Sequence, residues 1–495
     1  MVTPASRRRH RCRSLAAILI AAFTAVTAPA AQPAAETPAK PEVRRWLAGD
    51  HHIHSRYSVS YDPTVSPPRP IIAGDAIYPI STNAAMARNH GLAWMVATDH
   101  GGPLHSKLNR DVAYPELVES RQAVPEVIQF FGMEFDTPGA DHSSIIIPHT
   151  HDEADRLHEL ESRFSKREPF PADPSRDTEP KMIEALTHMK GMAHPPIVFA
   201  HHPSRSARGP NAWGLTSAAE LRGWNDAAPN VAVGMEGAPG HQAATLEREG
   251  NIGPGKRGGY GNYPTLGGYD QMTARLGGFW DSLLGEGRRW WITATSDSHK
   301  HWREGGSDFW PGEYSKTYVH ALKTHDDILD GLRSGRIFVT TGDLISELCV
   351  TVSTGLEGEA HGHANIGETL VLPAPLRNAV VTIRFKHPSG PNARGLRPRV
   401  ARVDLILGAV TGRSADPHLV ANPSTRVERR FEAAQWTEED GFLTIRHALN
   451  SIEGDFYVRV RGTNSAELEP AIDPDGEDPW SDLWFYSNPI FVQLR

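Results

Sequence analysis

From residue 46 to about 341 the chain repeats one pattern: a short apolar run closing on polar side chains, then a stretch with helical spacing. Seven such runs occur, at 47–54, 92–100, 127–136, 143–148, 196–202, 231–237 and 290–299. Their length suits buried strands. Helices are predicted between them over 83–89, 179–190, 217–225, 270–284 and 325–333. In the fourth, Met272, Leu276, Phe279 and Leu283 recur near helical spacing, giving a face that packs on a sheet. Strand–helix alternation with reactive residues at strand C-termini is the layout of a parallel barrel with its site on that face. Seven runs rather than eight predict a distorted barrel over 46–341.

Beyond residue 345 the pattern changes. Val350-Thr351-Val352 and the segments 380–385, 403–407, 456–460 and 485–492 alternate or run apolar between Gly, Pro and Asn turns, with no strong helix among them. This predicts an all-β sandwich over 345–495. At the other end, Arg7, Arg8, Arg9, Arg11 and Arg13 precede an apolar stretch and Ala28-Pro29-Ala30. Residues 1–30 therefore read as a signal peptide and the Ala/Pro-rich 31–45 as a linker, placing the protein in the periplasm or outside the cell. The arginine pair permits twin-arginine export, but the general secretory route fits better. The apolar stretch is too short to span a bilayer, and no later segment qualifies.

Charge narrows the possible partners. Lys and Arg number 51 against 59 Asp and Glu, and five of the arginines lie in the leader. So acidic a chain is a poor sequence-independent nucleic-acid binder, whereas a local basic pocket for a small anionic ester remains open. Of the 2 cysteines, Cys12 lies in the leader and Cys349 is left alone, which allows no internal disulfide. Oligomeric state leaves no mark in the sequence.

Candidate chemistry sits at the polar ends of the runs. In Asp50-His51-His52-Ile53-His54, an extended chain puts Asp50, His52 and His54 on one face. Later runs end in or beside Asp99-His100, Glu134, His142, His201-His202 and Asp297-Ser298-His299. Mixed imidazole and carboxylate ligands suit zinc, manganese or iron better than calcium. A carboxylate can bridge two cations, and two ions about 4 Å apart can share a hydroxide and clamp an in-line displacement.

His52-Ile53-His54, Thr98-Asp99-His100, Gly132-Met133-Glu134, His142, Ala200-His201-His202-Pro203 and Ser296-Asp297-Ser298-His299 resemble the ordered motifs of the polymerase-and-histidinol-phosphatase (PHP) superfamily. Trp280-Asp281-Ser282-Leu283-Leu284 and the closing Asn488-Pro489-Ile490 are similar to an exported branch containing phosphoesterases and a carbamate ester hydrolase. The resemblance implies a (βα)7 barrel with two or three divalent ions. His52, His54, Glu134 and Asp297 would hold one, and Glu134 would bridge to a second on His142 and His202. His202 is favoured over His201 because the family's histidine directly precedes proline. His100 and His299 would hold a third. Relatives complete it with a His or Asp shortly after the first pair, where this chain has Val59 and Ser60, with Asp62 further along.

The expected activity is metal-dependent hydrolysis of phosphate mono- or diesters, with Glu134, Asp297, His100 and Arg205 in the catalytic set. The same site would also suit carboxylic or carbamic esters, and a third reading is a non-catalytic glycan binder with structural metal. Asp50 and Asp99 are expected to orient ligating imidazoles. Arg205 is either a phosphoryl clamp or half of a surface ion pair. Lys300 and His301 are expected in solvent, and Glu236 in the pocket or against an Arg. His361 and His363 lie in a Gly-rich turn and suggest no site. Trp480, Trp484, Phe485 and Tyr486 read as core or interface.

Overall fold

All seven apolar runs form strands: β1 (Arg45–Asp50), β2 (Trp94–Ala97), β3 (Ile128–Asp136), β4 (His142–Ile146), β5 (Ile197–Ala200), β6 (Ala232–Ala238) and β7 (Trp291–Ala294). A computed structural model describes residues 43–209, 212–261, 264–354, 361–373, 379–449 and 452–495. The leader and all but the end of the linker lie outside these. That end is ordered: Arg44 holds Asp327 at 2.9 and 2.6 Å, and Arg45 opens β1.

The seven strands neighbour one another in chain order within one large sheet. β1–β2–β3 and β5–β6–β7 are parallel, but β4 is antiparallel to both neighbours. The cause is local: residues 137–141 turn β3 straight into β4, and only antiparallel strands can be joined without a crossover. The sheet curls until Ile53, beyond β1, bridges Ser298, beyond β7. Two more strands, β8 (Ser315–Ala321) and β9 (Ile337–Thr341), continue antiparallel from the other edge of β1. Side chains satisfy the open edge of β7. The Thr317 hydroxyl bonds both N–H and carbonyl of Ala294 at 2.8 Å, and the Asn488 amide bonds those of Ile292 at 3.0 and 3.1 Å.

Besides one-turn pieces, the α-helices are α1 (Ile80–Asn89), α2 (Tyr114–Ala123), α3 (Glu153–Phe164), α4 (Glu179–Lys190), α5 (Ala218–Ala227), α6 (Phe279–Gly285) and α7 (His325–Ser334). Ser217 and Glu220 form a capping box that starts α5. α3 buries Leu157, Leu160 and Phe164 along one side. The helix expected over 270–284 is broken. Gln271–Ala274 makes one turn, Arg275 leaves helical geometry, and α6 starts after the Gly277–Gly278 pair. α2 went unpredicted because it buries only Leu117 and Ser120 and shows no apolar stripe. The fold is therefore mixed α/β around a large mixed sheet, without a helix after every strand.

The C-terminal region adds β10 (Glu347–Thr354), β11 (His361–Asn365), β12 (Thr369–Leu372), β13 (Ala379–Lys386), β14 (Arg402–Ala409), β15 (Arg426–Glu432), β16 (Thr437–Glu439), β17 (Phe442–Leu449), β18 (Phe456–Thr463), β19 (Trp484–Ser487) and β20 (Ile490–Leu494). Five form an antiparallel sheet, ordered β11–β10–β13–β17–β16, and the rest extend the large sheet. Val352, Val381 and Ile383 from the former share one buried cluster with Val403, Val458 and Val460 from the latter. β19 pairs with β9, so the two regions share a continuous sheet. Along β19, Trp484 and Tyr486 enter the cluster around β1–β7 while Phe485 enters the other, the two-residue alternation of a strand buried on both faces.

Asp281, on α6, is fully buried and accepts from Arg459 Nε and Nη2 at 2.8 and 2.7 Å and from the Tyr457 hydroxyl at 2.9 Å. Replacing one member of such a pair leaves the other charge uncompensated. Asp281→Asn is expected to cost about 3 kcal/mol or more in urea unfolding; a loss under about 0.5 kcal/mol would contradict this role.

His105 donates from Nδ1 to Glu161 at 2.6 Å and from Nε2 to the Tyr57 carbonyl at 2.9 Å, which requires the imidazolium. Burial opposes that charge, but Glu161 outweighs it and pushes the pKa up to about 9. The stabilisation is complete below pH 6.5, the free imidazole's value, and is lost as pH rises through about 9. Unfolding should therefore show a loss of roughly 2–3 kcal/mol across that window that His105→Gln lacks; an identical pH profile in the variant would contradict it.

Candidate metal centre

The stretch after β1 is held on both sides. Ile53 N–H donates to Thr98 Oγ1 at 2.8 Å, and His54 N–H donates to the Ser298 carbonyl at 3.1 Å. This extended path turns Ile53 into the core and sends His52 and His54 to the same pocket. His52 Nε2 lies 3.2 Å from Glu134 and 3.1 Å from Asp297. His54 Nε2 lies 3.1 Å from Asp297 and 3.6 Å from Glu134. Each ring is fixed through its other nitrogen, His52 Nδ1 by Glu236 at 2.6 Å and His54 Nδ1 by Ser58 at 2.7 Å. Ser58 in turn donates to Asp99 at 2.9 Å, so Asp99 orients an imidazole as expected. Asp50 does not. It accepts the backbone N–H groups of His52 and Ser296, and burial pushes its pKa up to about 7. Glu236 takes the part the sequence reading gave Asp50.

Glu134 is the hub. Its Oε1 lies 3.0 Å from His142 Nδ1, 3.1 Å from His201 Nδ1 and 2.9 Å from His202 Nε2. His201 and His202, read as competitors, both reach it, and Glu236 fixes the backbone N–H of His202 at 2.6 Å. Burial opposes ionisation of Glu134, but His142 and His52 hold it well below the usual carboxylate range. Asp297 is buried likewise and is held low by His52 and His241.

The third group departs from the sequence reading. His100 and His299 face the same carboxylate oxygen, that of Asp75, with His299 Nε2 at 3.4 Å. Asp75 thus faces both rings, where the sequence offered only Val59, Ser60 and Asp62. Asp62 instead caps an exposed hairpin, where it pairs with Arg69 at 3.2 Å. His241 also went unnoticed. Its Nε2 lies 2.9 Å from Asp297 and its Nδ1 2.6 Å from Asp308. The sequence signal was Pro239-Gly240 directly after β6. A Cβ on Gly240 would lie 2.1 Å from that of Asp297, so only glycine permits the approach.

A cavity of about 390 Å³ opens over these groups. Arg205 lines it while paired with Asp141 at 2.9 Å, an ion pair at the cavity wall. Lys300 lines it too, contrary to expectation. His301 instead turns inward to Glu313 at 3.0 Å and stacks on Trp310. The loops 238–268 and 300–316 supply walls, and no described residue of 149–180 does. His363, in β11, is exposed and far along the chain from the site's motifs.

Three of the seven positive-φ non-glycine residues among those described are His202, His241 and Asp297. Strain gathered at one pocket marks a site whose geometry the surrounding fold enforces. The buried atoms His52 Nε2, His54 Nε2, His201 Nε2 and Asp297 Oδ1 carry no hydrogen bond. Ring nitrogens whose partner nitrogens are already tied, facing ionised carboxylates, fit a divalent cation. The candidate ligand groups in this pocket are His52–Glu134–His201–His202, His52–His54–Asp297, His54–His100–His299 and His241–Asp297–His299, each with ligand atoms within 4.8 Å of one another. Among the described residues no helix is long and apolar enough to cross a membrane.

No known family model matches the chain, and no curated protein matches it.

Glu236 touches His52, His202 and the Thr295 hydroxyl without facing the cluster's interior. Glu236→Gln is expected to weaken zinc binding about 10–100-fold in competition with a chromophoric chelator. Unchanged affinity would mean that the orientation of His52 does not matter to the ion.

Proposed function

We propose that the protein is an exported, metal-dependent phosphoesterase of the PHP type, acting on small anionic phosphate esters. In this reading the curled seven-strand sheet is a distorted (βα)7 barrel, followed by a β-sandwich, with the leader directing export. One observation carries it: residues from four separate segments, at 52–54, 142, 201–202 and 241, converge on Glu134 and Asp297, with ring nitrogens left free to bind. Two ions would sit about Glu134, on His52, His54 and Asp297 and on His142, His201 and His202. Asp75, His100 and His299 would take a third. The nitrogen and oxygen donors suit zinc, manganese or iron.

Bound divalent ions would supply Lewis acidity and activate water at neutral pH. The chain's own groups do the rest. Glu236 and the Ser58–Asp99 pair keep the rings of His52 and His54 in place. Arg205, at the cavity wall 3.5 Å from His142, is placed to take a phosphoryl oxygen. Except for Gly306, every described residue lining the cavity is charged or polar, which favours a hydrated phosphate ester over an aryl carbamate.

Protein loaded with zinc or with manganese should hydrolyse aryl phosphate or bis-aryl phosphate esters. Turnover of aryl carbamate with none of either phosphate would overturn the assignment. Glu134→Gln and Asp297→Asn should each lower the rate by roughly three orders of magnitude, about 4 kcal/mol of transition-state stabilisation, with the circular dichroism spectrum unchanged. Wild-type rates in either purified variant would contradict their roles.

A further inference from the structure

The cavity is lined by two cationic side chains, Arg205 and Lys300, with different neighbours. Arg205 belongs with His142, at 3.5 Å, and Asp141. Lys300 directly follows His299, on the side of Asp75 and His100. Their states differ. Arg205 already has a carboxylate, whereas among the described residues no acidic side chain pairs with the Lys300 ammonium.

The backbone at Lys300 is held firmly. Its N–H donates to Asp308 Oδ2 at 2.9 Å, and its carbonyl accepts from Asp308 N–H at 3.3 Å. Gly306 folds against that carbonyl so closely that a Cβ there would lie 1.7 Å from it. Asp308 cannot serve the ammonium, because Oδ1 takes His241 and Ser307 and Oδ2 takes the N–H groups of His299 and Lys300. The turn thus fixes the base of a lysine at the cavity wall and leaves its charge free.

We propose that Lys300 is a specificity residue that binds a second anionic group of the substrate, a carboxylate or a further phosphate, at the cavity wall. The substrate is then a small polar phosphate ester whose alcohol part itself carries negative charge. This rests on the phosphoesterase reading for the first anion and adds the second. The polar walls agree, since they offer an uncharged apolar alcohol nothing to bury against.

The test uses non-hydrolysable phosphonates of matched size, 3-phosphonopropionate with the carboxylate and propylphosphonate without it. Binding to zinc-loaded full-length protein is measured by calorimetry. Wild type should bind 3-phosphonopropionate about tenfold more tightly, a 1.4 kcal/mol difference. The ratio should fall towards one in Lys300→Gln, survive in part in Lys300→Arg, and shrink with added salt. A wild-type ratio below about twofold, or a tenfold ratio that persists in Lys300→Gln, would overturn the proposal. Failure of both analogues to bind would remove the phosphoester reading and this proposal together. A Lys300-dependent ratio without hydrolysis of any phosphate ester would remove only the catalytic reading.

Discussion

Two ionised carboxylates buried among imidazoles set the terms for the rest of this molecule. Glu134 and Asp297 are both almost fully buried, and each faces several ring nitrogens at about 3 Å. Burying such charges without compensation is costly. The rings of His52 and His54 cannot compensate as neutral donors, because Glu236 and Ser58 already take their Nδ1 atoms. A divalent cation would resolve the conflict by meeting the ring lone pairs and both carboxylates together.

The fold reads as a means of bringing these groups together. Glu134 stands on β3, and His142 opens β4, which faces it only because the turn at 137–141 reverses the chain. The antiparallel β4 thus places a donor beside Glu134. Closing the curl brings His52 and His54 against Asp297 through the bridge between Ile53 and Ser298. The C-terminal region takes part in that closure, since Asn488 seals the edge of β7 and Asp281 anchors α6 to Arg459. Its sheet is continuous with the one that carries the site, so the site's rigidity depends on both.

What the sequence revealed was local, and what it hid was remote. A two-residue period and His-x-His spacing are short-range facts, so the seven strands, both central carboxylates and all of the expected histidines could be named from them. Asp75 could not, because a hairpin intervenes and returns the chain to His100 and His299 from a distance that spacing alone misjudged. His241 was masked by a Gly-rich loop that resembles solvated sequence. Glu236 fixes the ring expected of Asp50 because a carboxylate's neighbours in the chain do not reveal which ring it will meet across the sheet. The break at 275–278 likewise defeated a helical stripe that looked continuous.

The central claim is that these side chains hold cations in one place. Anomalous diffraction at the zinc absorption edge from crystals of the zinc-soaked protein tests it most directly. The account predicts peaks flanking Glu134, one against His52, His54 and Asp297 and another against His142, His201 and His202. A well-ordered map without density among these groups, or with zinc bound only at surface histidines, would contradict it.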